Sequence, residues 1–164
     1  MTGSPRIRLA EPDELQSVGA LTVQAYTHDG GMSAEDRYAR ILADAEDRAK
    51  RAELYVAELD GHLVGTVTVA EHGTPYAEVS QPGELEFRML AVDPEVSGQG
   101  IGSALVEFVA GEARGRGHQR VVISVVRGNA AAEHLYERLR FVRVPTRDWE
   151  PVPGVVLQVS TLDV

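Results

Sequence analysis

A glycine-rich stretch lies between a predicted strand and a predicted helix and limits how the chain can fold. Residues 92–108 read VDPEVSGQGIGSALVEF, and three glycines stand at alternate positions: Gly98, Gly100 and Gly102. The apolar run 85–92 predicts a strand that stops at Asp93-Pro94, and the spacing of apolar residues after Ile101 predicts a helix. A strand, a turn and a helix in this order indicate an α/β fold in which a crossover joins parallel strands.

The rest of the chain alternates strands with helices and contains no repeat. Strands are predicted at 6–9, 54–59, 63–70, 85–92, 121–126, 141–144 and 155–162. Helices are predicted at 12–26, 33–45, 101–115 and 129–139. Asp60-Gly61 predicts a hairpin turn. The order of elements places parallel pairing in the middle of a mixed sheet.

Length and composition favour one compact domain. The chain has 164 residues, of which 43% are hydrophobic, which suffices for a core of its own. No apolar run approaches the roughly 18 residues of a membrane span, and the first residues do not resemble a signal peptide. We therefore expect no membrane partner and a cytoplasmic location.

Several classes of chemistry are disfavoured by composition. The absence of cysteine excludes disulfides, thiolate metal sites and a cysteine nucleophile. The five histidines show no metal-ligand spacing, so no metal site is predicted. A net charge of −9 and a single lysine, Lys50, argue against nucleic acid as a partner.

The glycine stretch is best explained by anion binding. A helix N-terminus carries unpaired N–H groups, and glycines before it let the backbone approach a phosphate. The pattern G-x-G-x-G is not the dinucleotide fingerprint, because Ser103 stands where its third glycine belongs, and no Gly-Lys-Ser/Thr follows as in a P-loop. A turn that binds nothing remains the alternative.

A second motif, NAAAEHLYERLRF, covers residues 129–141. Asn129 stands where a strand ends and a helix begins, which by itself predicts an N-cap. Tyr136 lies two turns further on the same helical face and by itself predicts a core residue. Both follow the strand next to the glycine stretch, which places them at the same open end of the sheet.

Together these motifs resemble the GNAT superfamily of acyl-coenzyme A dependent N-acyltransferases. LEFRMLAVDPEVSGQGIGSAL matches the family's fourth strand and pyrophosphate loop, and residues 129–141 match its motif N-x-x-A-x-x-L-Y-x-x-x-G-F. The resemblance implies one domain with a mostly antiparallel sheet, a central parallel pair splayed around the coenzyme, and about four flanking helices. It divides the chain into an acceptor-side half (1–83), an acetyl-CoA-binding core (84–142) and C-terminal strands (143–164).

The resemblance also implies roles for individual residues. The pantetheine arm is expected on the strand and the pyrophosphate on the loop, at positions Leu90, Ala91, Val92, Ser97, Gly98, Gln99, Gly100, Ile101, Gly102 and Ser103. Asn129 is expected to contact the coenzyme arm. Tyr136 is expected near the sulfur as a general acid. Glu86 occupies the place of the family's carboxylate base.

Two positions depart from the family pattern. Ser97 replaces the Arg or Gln that usually begins the loop, and no Lys or Arg occurs between Arg88 and Arg114. Backbone N–H groups must then bind most of the anion, so we expect weaker coenzyme affinity unless a distant arginine such as Arg127 compensates. Arg140 replaces the glycine before Phe141 and is expected to change how the helix ends.

The chemistry of amine acylation requires a base and an acid. An alkyl amine with a pKa of about 10.4 is mostly protonated at neutral pH, so a base must remove a proton. Glu86 is the candidate base and Glu84 the second candidate. The alternative for Glu86 is a solvated or salt-bridged strand residue near Arg88. A backbone N–H near Met89 or Leu90 is expected to stabilise the oxyanion. Tyr136 is the candidate acid. Without cysteine, we expect direct transfer in a ternary complex.

The acceptor is predicted to be a primary amine of a small molecule. In the family it enters beside residues 26–47 and 72–83, which are acidic here and carry Asp29, Glu35, Asp36, Asp44, Glu46, Asp47 and Glu78. A cationic acceptor would be steered there. The simpler explanation of the charge is a solvated helix face that keeps the protein soluble. A protein N-terminal or lysine acetyltransferase and a non-catalytic acyl-CoA-binding module remain alternatives. A homodimer through the C-terminal strands is compatible with the family.

Overall fold

The computed structural model describes residues 3–28, 32–33 and 35–164. The chain divides into two compact units, Met1–Val69 with Met89–Phe108, and Ala70–Arg88 with Val109–Val164. Two strands and one helix run through both units.

The first unit places three antiparallel strands beside three helices. The strands are β1 (Arg6–Leu9), β2 (Glu53–Leu59) and β3 (His62–Glu71, which continues into the second unit), and they pair in the order β1-β2-β3. Asp60 and Gly61 both adopt positive φ, 52° and 81°, as a type I′ hairpin turn requires. The hairpin predicted from the Asp60-Gly61 pair is therefore confirmed.

The helices of the first unit are α1 (Leu15–Thr27), α2 (Arg37–Ala43) and α3 (Ala45–Arg51). The sequence predicts a single helix over 33–45, but Asp44 leaves the helical region (φ −86°, ψ 68°) and its carboxylate accepts the Asp47 N–H at 3.0 Å. Asp44 thereby ends α2 and caps α3. The core of this unit contains Val18, Ala45, Leu54 and Val56.

The second unit contains the parallel pair of strands. These are β4 (Glu84–Val92, shared with the first unit) and β5 (Arg120–Val126), which pair in parallel from Glu84–Arg120 to Glu86–Val122. Antiparallel to β5 lies β8 (Val155–Asp163), and β6 (Val142–Arg143) and β7 (Trp149–Val152) both pair with β8. The short strand β7 was not predicted, since it contains Pro151 and is followed directly by Pro153.

Two further helices complete the described structure: α4 (Ile101–Gly115, shared between the units) and α5 (Ala130–Arg138). The predicted α/β class, with a mostly antiparallel sheet and one parallel pair, is confirmed. The described residues form five α-helices rather than about four, because α3 lies almost wholly beyond the helix predicted over 33–45 and was not itself predicted. No helix among them has the length and apolar composition to cross a membrane.

Helix α5 ends in a Schellman motif at the position where the family pattern has glycine. The Arg140 N–H donates to the Glu137 carbonyl at 3.0 Å and the Phe141 N–H to the Tyr136 carbonyl at 2.9 Å. Arg140 adopts φ 72°. The motif favours glycine here, since a side chain is strained in the left-handed region.

We therefore expect Arg140→Gly to raise the free energy of unfolding by about 1 kcal/mol. The melting temperature should rise by about 2–4 °C, as measured by calorimetry. The matched control is Arg138→Gly within α5, which should lower stability by about 1 kcal/mol. A destabilised Arg140→Gly variant would contradict this interpretation of the helix end.

Candidate functional site

The glycine loop begins where β4 ends and leads into α4. Gly98 and Gly100 adopt φ values of 82° and 81°, and a Cβ added at either would meet no atom within 4 Å. These two glycines are therefore required by the backbone conformation, and the space beside them is open. Gly102 lies inside α4 and has no such requirement.

Close packing within the first unit fixes the start of α4. A Cβ at Gly65 of β3 would lie 3.0 Å from side-chain atoms of both Ile101 and Leu105, so glycine permits this approach. The Asp93 N–H donates to the Val64 carbonyl at 2.8 Å. The loop between these two points is therefore held at both ends.

The loop and the first turn of α4 fit an anionic group. The first helical hydrogen bond runs from the Ala104 N–H to the Gly100 carbonyl at 3.0 Å, and the N–H groups before it have no partner within the helix. The positive end of the helix dipole lies at the same place. A groove beside the loop is lined by Gly3, Ser4, Pro5, Gln99, Gly100, Ala104, Glu107 and Phe108. This lining contains no cationic side chain.

The strand residues predicted to hold the pantetheine arm lie in the first unit with the loop. Leu90 and Val92 are half-buried and Ala91 is buried. Met89, which precedes them, adopts φ 56°, a conformation that interrupts regular strand geometry. The backbone N–H that is expected near Met89 or Leu90 to stabilise the oxyanion therefore lies at a distorted point of the strand.

Glu86 is fully buried on β4, and its two carboxylate oxygens have different surroundings. Oε1 accepts the backbone N–H groups of Glu78, Val79 and Ser80 at 2.9, 3.0 and 3.1 Å. Oε2 is buried and has no hydrogen-bond partner among the described residues. We call residues 78–80 the cradle. One oxygen is thus fixed while the other is left to bind a further donor.

The protonation of Glu86 reflects this environment. Burial raises the pKa of its carboxyl above the ordinary value, although the cradle N–H groups and the nearby Arg88 oppose the shift. A carboxylate with a raised pKa is a stronger base than a solvated one. Glu86 therefore has the properties of a proton acceptor.

Glu84 is also fully buried, but its oxygens are occupied. Arg147 binds it through both terminal nitrogens at 2.9 Å, Arg120 Nε donates to it at 3.0 Å, and the Gln81 N–H donates at 2.9 Å. Burial alone would raise the pKa of Glu84, but these partners hold it below the ordinary value. Of the two carboxylates, only Glu86 has an oxygen available.

The second motif lies in the second unit. Asn129 is exposed and caps α5, its side chain accepting the Ala132 N–H at 3.2 Å. The Tyr136 ring packs against Phe87 of β4 and Phe141, with centroid distances of 6.0 and 5.4 Å. Burial raises the pKa of the Tyr136 hydroxyl above its ordinary value, so it stays protonated at neutral pH. The contact with Phe87 joins Tyr136 to the strand that carries Glu86.

The acidic residues expected to attract a cationic acceptor mostly have local partners. Glu46 pairs with Lys50, Asp47 with Arg51, and Glu78 with Arg88, while Asp44 caps α3. Asp29 lies outside the described residues. These pairings reduce the negative charge left to steer a cation.

The residues that bind the two buried carboxylates were not predicted. No motif or spacing links Val79 and Ser80 to Glu86, and none links Arg147 to Glu84, from which it stands 63 residues away. Repeated backbone donors cannot be recognised from residue types. The available signal in the sequence was a carboxylate, Glu86, within a strand predicted to be buried.

Comparison with known proteins agrees with these features. The family model described as "Acetyltransferase (GNAT) family" matches residues 16–141. Mycothiol acetyltransferase of Cellulomonas flavigena is 31% identical over 135 residues, which cover 81% of this chain and 38% of that protein. Streptothricin acetyltransferase of Streptomyces lavendulae is 33% identical over 119 residues, which cover 73% and 56%. The chain thus spans about half or less of the length of these relatives.

Solved structures show the same fold. PaiA N-acetyltransferase from Thermoplasma acidophilum, solved with coenzyme A, superposes with a TM-score of 0.74 at 16% identity and covers 98% of this chain and 100% of that chain. An N-acetyltransferase from Staphylococcus aureus Mu50 gives a TM-score of 0.68 at 19% identity, with 98% and 99% covered. The match over residues 16–141 confirms the resemblance, and the chain belongs to the GNAT acetyltransferase family.

Proposed function

We propose that this protein transfers an acetyl group from acetyl-CoA to a primary amine of a small molecule, by direct transfer in a ternary complex. The observation that carries the proposal is Glu86, a buried carboxylate with one oxygen fixed by the cradle and the other without a partner among the described residues. The names of the mycothiol and streptothricin acetyltransferases support a small-molecule acceptor.

The glycine loop supplies the proposed coenzyme contacts. Backbone N–H groups of Gly98 to Ser103 and the positive end of α4 would bind the pyrophosphate. Leu90, Ala91 and Val92 would hold the pantetheine arm through backbone groups, and Asn129 would contact the same arm. When bound, acetyl-CoA supplies an activated acetyl thioester and a thiol leaving group.

The proton transfers fall to Glu86 and Tyr136. Glu86 would take a proton from the attacking amine at Oε2, directly or through one water, since Oε1 is occupied by the cradle. A backbone N–H near the distorted Met89 would stabilise the negative charge that develops on the carbonyl oxygen. Tyr136 would hold a proton ready for the departing sulfur.

A survey of acceptors tests the proposal. The purified protein is incubated with acetyl-CoA and, in turn, with small amines, amino sugars, polyamines and peptides, and thiol release is measured. We expect acceptor-dependent release with a class of small amines. Release with peptides alone would favour a protein acetyltransferase, and coenzyme binding without release to any acceptor would favour a non-catalytic module.

The cation-free loop predicts a gain in coenzyme affinity for Ser97→Arg. A charge-assisted hydrogen bond to phosphate adds about 1.5–3 kcal/mol, so the dissociation constant for acetyl-CoA should fall about tenfold or more. Isothermal titration measures the change. Ser97→Ala is the matched control and should bind like the wild type. Equal affinity of the wild type and Ser97→Arg would contradict the assignment of the loop as the anion site.

A further inference from the structure

Arg147, in the C-terminal part of the chain, forms hydrogen bonds to Glu84 and to the cradle that binds Glu86. Arg147 ends a 3-10 turn, Pro145–Arg147, and its two terminal nitrogens bind Glu84 as a fork, both at 2.9 Å. Nη2 also donates to the Val79 carbonyl at 2.5 Å. The Arg147 side chain is only 17% exposed, so this fork is largely removed from solvent.

The Val79 carbonyl belongs to the same peptide group as the Ser80 N–H. This peptide is trans, so its carbonyl and N–H point in opposite directions. Arg147 binds the oxygen and Glu86 Oε1 binds the N–H at 3.1 Å. Hydrogen bonds at the two ends of one peptide polarise each other and strengthen both.

The next peptide is held in the same manner. His72 Nδ1 lies 2.8 Å from the Ser80 carbonyl and, because a carbonyl only accepts, this nitrogen carries the hydrogen. The N–H of that peptide, on Gln81, donates to Glu84 Oε1 at 2.9 Å. Two successive peptide groups are therefore fixed from both sides. Arg147 and His72 bind their carbonyls, and the carboxylates of Glu86 and Glu84 bind their N–H groups.

We propose that Arg147 is a positioning residue for Glu86, fixing the cradle so that Oε1 stays saturated and Oε2 alone is left to accept a proton. The inference rests on the proposed role of Glu86 as the base. Arg147 itself touches neither the acceptor nor the coenzyme in this account. It acts through the peptide between Val79 and Ser80.

The consequence is a change in the proton affinity of Glu86. N–H donors stabilise a carboxylate, so a loosened cradle should raise the pKa of Glu86 further. β4 itself carries Glu84, Glu86 and Arg88, and the other described charged or titratable residues that contact β4 or the cradle are His72, Tyr76, Glu78, Arg120, Tyr136 and Arg147. Arg88 is the group among them that lowers the pKa of Glu86 through its charge, and the variants below leave it in place.

The test compares Arg147→Met with Arg120→Met. Both remove an arginine from Glu84, but the Arg120 side chain donates to Glu84 Oε2 and has no hydrogen bond to the cradle among the described residues. We expect Arg147→Met to shift the acidic limb of kcat/KM upward by about one pH unit, the effect of losing one hydrogen bond to a charged acceptor. Arg120→Met should lose stability without moving the limb.

A second readout follows Glu86 without relying on turnover. Carbon-13 NMR titration of the Glu86 carboxyl, assigned with Glu86→Gln, should show its pKa raised in Arg147→Met and unchanged in Arg120→Met. A folded Arg147→Met with an unchanged Glu86 pKa and limb would overturn the inference, as would equal shifts in both variants. A shifted pKa combined with full turnover of Glu86→Gln would refute the proposed base and leave the positioning of the carboxyl supported.

Arg147→Lys covers the case in which Arg147→Met does not fold. Lysine keeps a positive charge beside Glu84, but its single ammonium lacks the planar fork that binds Glu84 and the Val79 carbonyl together. The limb and the NMR pKa should shift in the same direction by a smaller amount. A folded Arg147→Lys that matches the wild type in both measurements would overturn the inference.

Discussion

Glu86→Gln should lower kcat by about 10²–10⁴-fold, the range expected for loss of a general base. Glutamine preserves the shape and can still accept the three cradle N–H groups through its amide oxygen, but it cannot take up a proton. Acetyl-CoA affinity should stay close to that of the wild type, since no coenzyme contact is assigned to this side chain. Steady-state kinetics and isothermal titration measure the two quantities.

The pH profile identifies the group. Burial raises the pKa of Glu86, and a base must be deprotonated, so wild-type kcat/KM should rise with pH through a limb above the ordinary glutamate value of about 4.3. Glu86→Gln should lack this limb. The difference in kcat/KM between the variant and the wild type should become smaller as the pH approaches the pKa of the amine, because more of the amine is then already deprotonated. Glu84→Gln is the control: it should lose stability but still show a limb, because Glu86 is present to titrate. Glu86→Gln with near-normal turnover would contradict the assignment.

Tyr136→Phe should lower kcat by about 10²-fold, the lower end of the range for a general acid. The substitution keeps the ring and its packing against Phe87 and Phe141, so folding and coenzyme affinity should change little. Turnover should be lost because no hydroxyl remains to protonate the departing sulfur. An aryl thiolate leaves without protonation. With an acetyl thioester of an aryl thiol as the donor, Tyr136→Phe and the wild type should therefore turn over at similar rates. Equal turnover of both proteins with acetyl-CoA would show that Tyr136 is not the acid.

Features governed by nearby residues were predictable. Asp60-Gly61 specifies the β2–β3 hairpin because both residues tolerate positive φ, and Asn129 caps α5 as the sequence predicts. Helix α3 was not predicted, because residues 46–51 are mostly charged and show no apolar pattern. Only the backbone conformation of Asp44 shows that it ends α2 and caps α3.

The choice between Glu84 and Glu86 lies beyond the sequence. The two residues are two positions apart on one strand and share a face, so the sequence predicts the same orientation and the same burial for both. Their partners differ: Glu84 binds two arginines from distant parts of the chain, whereas Glu86 binds backbone N–H groups of a loop. Such partners depend on the tertiary fold, and a single sequence contains no signal for them.

The most direct test of the account follows the acetyl group itself. The protein is mixed with acetyl-CoA labelled in the acetyl group, the acceptor amine identified in the survey is added, and label is measured in the amine, the protein and free acetate. Direct transfer predicts that label appears in the amine, only when the acceptor is present, and never on the protein. Label bound covalently to the protein, or released as acetate without reaching the amine, would contradict direct transfer.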